Sequence, residues 1–166
     1  GSARFGSYSA DGSKIVFYSN RLRPEDLYGF NIYVMDSGGE TETQLARQVT
    51  NSQGSPGHPV WSADGKWIAY VSKEFNSAKQ NTLEGNIIFS KYHLYMVSAE
   101  GGKEIRLSDG LVDGQPADDT WPSWSPDGKW IAFGRQIAAK RDVWVMDTAT
   151  RVAFPVTNAG NCLKPT

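Results

Sequence analysis

The chain has 166 residues, enough for one ordinary domain, and a formal net charge of −1. That balance excludes a global field for recruiting nucleic acid or an anionic membrane, and no apolar run reaches the length that spans a bilayer. Six Trp, seven Tyr and seven Phe beside 17 Gly and eight Pro favour an all-β protein of short strands and many turns.

In chain order, the first turn signal is Tyr8-Ser9-Ala10-Asp11-Gly12, followed by the apolar run Ile15-Val16-Phe17. Asp-Gly between strand-like residues predicts a hairpin, because Gly accepts φ > 0 without strain. A further strand is predicted at Asn31-Ile32-Tyr33-Val34-Met35-Asp36, a turn at Ser37-Gly38-Gly39, and a short strand around Gln44-Leu45. The same order then repeats. Trp61-Ser62-Ala63-Asp64-Gly65 leads into Trp67-Ile68-Ala69-Tyr70, then Tyr92-His93-Leu94-Tyr95-Met96-Val97-Ser98, then Glu104-Ile105-Arg106-Leu107. It repeats again as Trp124-Ser125-Pro126-Asp127-Gly128, Trp130-Ile131-Ala132-Phe133, Asp142-Val143-Trp144-Val145-Met146-Asp147 and Ala153-Phe154-Pro155-Val156. Nearly continuous apolar runs suit strands buried on both faces, as between stacked sheets. Four antiparallel strands per copy make one propeller blade. The copies are expected at about 4–50, 57–108 and 120–158, with 161–166 beginning a further blade.

The third copy closely resembles the repeat of TolB-like propellers, with their WD40-like Ser-Pro-Asp-Gly blades. That repeat also occurs in propeller domains of prolyl-oligopeptidase-type peptidases, tricorn-type proteases and some polysaccharide lyases. The resemblance implies a β-propeller of six blades, and a periplasmic location if the chain is TolB-like; no leader-like segment is read in it. Three blades do not close a ring, since propellers have about four to eight. A homodimer that completes six blades is expected, with a fragment of a longer propeller as the alternative.

Binding is expected at the channel mouth and on the loop-rich face, formed by 20–30, 73–91, 46–57 and 109–120. Loops of such length are usually functional or disordered. His58, Asp118, Asp119, Trp121, Lys164 and Arg4 are placed at the channel mouth. Asp118-Asp119 offers clustered oxygens for a hard cation such as calcium, or chemistry for a turn before an extended X-Pro stretch. Trp121 has His58 and Phe5 as counterparts in the other copies, and its ring suits stacking on a sugar or a peptide. His93, within a strand, is expected to be packed. Asp11, Asp64 and Asp127 are explained by their hairpins, and Trp61, Trp67, Trp124, Trp130 and Trp144 are expected in the interblade core. The lone Cys162 excludes an intrachain disulfide and is expected to be a small buried hydrophobe. No Gly-x-Ser-x-Gly elbow, dinucleotide fingerprint or phosphate loop is present. The expected function is therefore a non-catalytic binding module for a protein segment or small ligand, with no cofactor required. A propeller hydrolase or lyase using Asp118, Asp119 and His58 around a metal is the alternative.

Overall fold

The computed structural model describes residues 3–21, 30–39, 46–51, 55–73 and 91–160. Among them every regular element is a β-strand and all pairing is antiparallel. The first sheet holds β1 (Ala3–Tyr8), β2 (Lys14–Ser19), β3 (Asn31–Asp36) and β4 (Arg47–Gln48), in that order. The second holds β5 (Ser55–Trp61), β6 (Trp67–Lys73), β7 (Tyr92–Ser98) and β8 (Ile105–Arg106), again in chain order. The third runs β9 (Leu111–Val112), β10 (Gln115–Trp124), β11 (Trp130–Ile137), β12 (Lys140–Asp147) and β13 (Ala153–Pro155).

The β1–β2, β5–β6 and β10–β11 hairpins are built the same way. Ser9, Ser62 and Ser125 each donate a hydroxyl proton to the Oδ1 of Asp11, Asp64 and Asp127, at 2.6 Å in all three. The same serine oxygens accept the backbone N–H of Lys14, Trp67 and Trp130 at 2.9 Å. Gly12, Gly65 and Gly128 take φ of 72°, 70° and 70°, the left-handed region that glycine enters without penalty. Donors gathered on the carboxylates stabilise their ionised form. Asp11 falls to about 2 through the Ser9 hydroxyl first and then the Ser13 donors. Asp64 and Asp127 are lowered by Ser62 and Ser125 first. A carboxyl lowered in the folded state stabilises above its unfolded pKa, and that contribution fades as pH falls from about 4 toward 2. Ser62→Ala is expected to cost about 1–2 kcal/mol, because the Trp67 N–H loses its acceptor; urea unfolding at neutral pH checks it, and the difference from the unmodified protein should shrink in acid.

Two apolar clusters hold the three sheets together. Val16, Ile32, Val34 and Val49 of the first sheet pack on Trp61, Ile68, Tyr70 and Val97 of the second. Ala69, Val71, Leu94 and Leu107 of the second pack on Ile131, Phe133 and Met146 of the third, with Trp124 and Trp144 beside them. The second sheet is thus covered on both faces, which explains why Ile68, Ala69 and Tyr70 are all fully buried in one continuous strand.

Several expectations shift. The short fourth strand of the first sheet lies at Arg47–Gln48, not at Gln44-Leu45, which is outside the described residues. Part of the loop expected at 109–120 is a small hairpin of β9 and β10, so the third sheet begins near 111 rather than 120. Trp67 and Trp130 sit half-buried at the hairpin ends and belong to neither cluster. The strand start at 161–166, with Cys162, falls outside the described residues.

Candidate functional site

Strands β1, β5 and β10 carry the same irregularity. Register with the next strand slips between Arg4 and Ser7, between Gly57 and Val60, and between Thr120 and Ser123, one extra residue each time. Such an insertion is a β-bulge, and it re-aims the side chain at that point. The residues at these bulges are Phe5, His58 and Trp121, with φ of 41°, 51° and 51°. Left-handed backbone at a bulky non-glycine residue costs about 1–3 kcal/mol, retained only where the surroundings enforce it. In two copies the next residue is proline, Pro59 or Pro122, which a bulge tolerates because it frees the N–H position.

The three bulges place their rings in one row. Phe5 and His58 lie 5.2 Å apart between ring centres, and His58 and Trp121 6.2 Å apart with planes at 68°. Phe5 also stacks on Tyr18 at 6.0 Å. Beyond Trp121, the Arg141 guanidinium carbon lies 5.2 Å from the indole centre, and Arg141 Nη2 donates to Gln136 Oε1 at 2.6 Å. A Cβ at Gly134 would crowd Thr120 Oγ1 at 3.1 Å and meet the indole in ordinary contact, 3.7 Å from Trp121 Cε3. At the other end Arg4 lies over Phe30 at 5.6 Å. Of the sequence-predicted residues, His58 and Trp121 therefore come together, with Arg4 next to the row. Lys164 lies outside the described residues. Phe5 and Arg141 join the row although the sequence reading did not single them out as ligands; the signal for Phe5 was its place before the first Asp-Gly turn.

Asp118 and Asp119 do not converge. Neighbours in a strand point to opposite faces, and each carboxylate has its own partner. Asp118 Oδ1 accepts the Tyr92 N–H at 2.7 Å. Asp119, fully buried, accepts Arg135 Nε at 2.7 Å and Nη2 at 2.9 Å, and the Ser108 hydroxyl at 2.6 Å. Arg135 is itself buried between Phe133 and Trp144, at 4.9 and 5.0 Å from their ring centres. Among the described residues no three His, Cys, Asp or Glu side chains gather as a metal site would need. His93 is buried in β7, its ring pressed against Gly110, where an added Cβ would overlap it.

No protein-family model matches the chain. An uncharacterized peptidase, YuxL, of Bacillus subtilis is 30% identical over 125 residues, covering 75% of this chain and 16% of its own length. A putative TolB of Agrobacterium tumefaciens is similar in structure, with a TM-score of 0.66, 19% identity, and coverage of 95% of this chain and 46% of that one. A puromycin-hydrolyzing peptidase of Mycobacterium tuberculosis gives a TM-score of 0.61 at 15% identity, over 95% of this chain and 22% of that one. These likenesses show a β-propeller fold of the TolB-like kind. The chain spans about 16% of the curated relative and less than half of these structures.

Proposed function

We propose that the chain is a propeller binding module without chemistry of its own, taking a protein segment or small ligand along the row Phe5, His58 and Trp121. The observation that carries this is the recurrence of a left-handed, ring-bearing residue at the same bulge in all three sheets. Strain kept three times at one position, and aimed at one line, is the mark of a surface prepared for a partner.

The reading takes each sheet as one blade of the Ser-Pro-Asp-Gly type, and a second copy as completing a six-bladed ring. Repeat positions support it. Tyr8 is 64% exposed, while its counterpart Trp61 is buried against the first sheet. Val156 is 52% exposed, while its counterparts Val49 and Leu107 are buried. The two end sheets thus present the two halves of an interface that the chain already makes twice. In the ring the row would continue from Trp121 to the partner subunit.

The test is a titration of short peptides and oligosaccharides followed by calorimetry. Saturable binding is expected, weakened at least tenfold by Trp121→Ala, since stacking on one aromatic ring is worth about 1–3 kcal/mol. Ligand binding that survives both Trp121→Ala and His58→Ala unchanged overturns the reading.

A second reading is favoured by the peptidase name of the Bacillus subtilis relative: the chain is the propeller part of a hydrolase or lyase. Metal analysis and turnover on the same peptide and saccharide panel separate the two. Bound divalent metal with turnover lost in Asp118→Asn supports the enzyme.

A further inference from the structure

A cleft of about 530 Å³ opens between the second and third sheets, away from the aromatic row, where two Asp-Gly hairpins stand side by side. Trp67, Met96 and Trp124 line it, with Asp64 and Asp127 on its two walls. The Ser62 and Ser125 hydroxyls and the Lys66 and Lys129 backbone N–H groups hold both carboxylates ionised, so the walls carry two negative charges. Among the described residues no Lys or Arg side chain lines the cleft; Lys66 and Lys129 beside the turns are exposed.

The corresponding positions between the first and second sheets are polar, and hold two cations, each with its own anion. Lys14 holds the place of Trp67 and bonds Asp36 at 3.0 Å. Arg47 donates to the Ala99 carbonyl at 2.7 Å and lies 3.4 Å from Glu100. At the equivalent positions the second sheet carries Trp67, which lines the cleft, and Ile105, and Ser98 replaces Asp36. Two ion pairs, Lys14–Asp36 and Arg47–Glu100, thus give way to an indole, a serine, an aliphatic side chain and Ala149, while the two hairpin carboxylates are common to both places.

We propose that this cleft binds an organic cation of the quaternary or methylated ammonium class. Indole faces attract a cation through their ring quadrupole, most strongly when it is weakly hydrated. A compact primary ammonium is strongly hydrated and loses more on entering a cleft walled by Met96, Pro126 and Ala149. The volume lies in the range usual for small-ligand sites, well above what a tetramethylammonium head group needs. The carboxylates act here as charges, because their Oδ1 atoms are already bonded within the turns. Free choline and a trimethylated lysine side chain share this chemistry.

Calorimetric titration of the full chain tests it with tetramethylammonium, choline, a trimethyl-lysine peptide and 3,3-dimethylbutan-1-ol, the uncharged isostere of choline. Tetramethylammonium is expected to saturate in the millimolar range, and the uncharged alcohol to bind at least tenfold more weakly than choline. Trp67→Leu should weaken the cation at least tenfold, and Trp67→Lys, which removes the indole and sets a fixed cation beside the carboxylates, should abolish binding. Trp130→Leu, at the equivalent place in the third sheet, should leave binding intact, and circular dichroism melts of all three variants check folding. Tighter binding of the peptide than of choline assigns the site to a modified protein, and the reverse to a small solute. Equal binding of the alcohol and choline, no saturation by tetramethylammonium, or indifference to Trp67→Lys overturns the proposal. None of these outcomes touches the aromatic row, whose ligands depend on Trp121.

Discussion

Asp119→Ala is expected to destabilise the protein by about 3–5 kcal/mol, because it leaves Arg135 buried without its counter-charge. Asp119 has no exposed surface and Arg135 is only 4% exposed, so water cannot take over the lost contacts. The substitution also strands the Ser108 hydroxyl, which accepts the Leu94 N–H at 2.9 Å and gives its own proton to Asp119. One carboxylate therefore joins β10 of the third sheet to the outer edge of the second. The double variant Asp119→Leu with Arg135→Met should recover most of the loss, since an apolar pair of similar volume avoids burying charge. Denaturant unfolding of the singles and the double gives the coupling directly. A loss below about 1 kcal/mol in the single variant would show that the pair is not dry.

The second large effect concerns the end faces. Tyr8→Asp or Val156→Asp is expected to dissociate the proposed dimer with little loss of monomer stability, since Tyr8 is 64% and Val156 52% exposed within one chain. A charge buried at a core interface position without a partner costs several kcal/mol, enough to shift a micromolar dimer fully to monomer. Tyr8→Trp should act in the opposite direction. It gives the first sheet the residue that Trp61 and Trp124 already provide at the two internal interfaces. Analytical ultracentrifugation across a concentration series distinguishes the three variants.

The sheets were legible in the sequence because each hairpin is specified locally. Ser-x-Asp-Gly fixes its turn with bonds that span five residues at most, so the pattern survives in one dimension. The bulges left a weaker trace. Pro59 and Pro122 inside a strand signal a break in pairing, but the first copy carries Gly6 there, and only the shared left-handed backbone reveals the common feature. The Asp119–Arg135 pair was not legible. It depends on register across two strands, and reading Asp118-Asp119 as a pair overlooked strand alternation. Trp67 and Trp130 were read as core because tryptophan at a repeat position usually is. Their places at the hairpin ends leave them half-buried, and a cleft forms where a second hairpin faces Trp67.

Native mass spectrometry of the unmodified chain at micromolar concentration tests the central claim, that two copies share one channel and one aromatic row. A species of twice the 18.3 kDa chain mass is expected, persisting on dilution until the interface dissociates. A well-folded protein that stays at the single-chain mass throughout contradicts it.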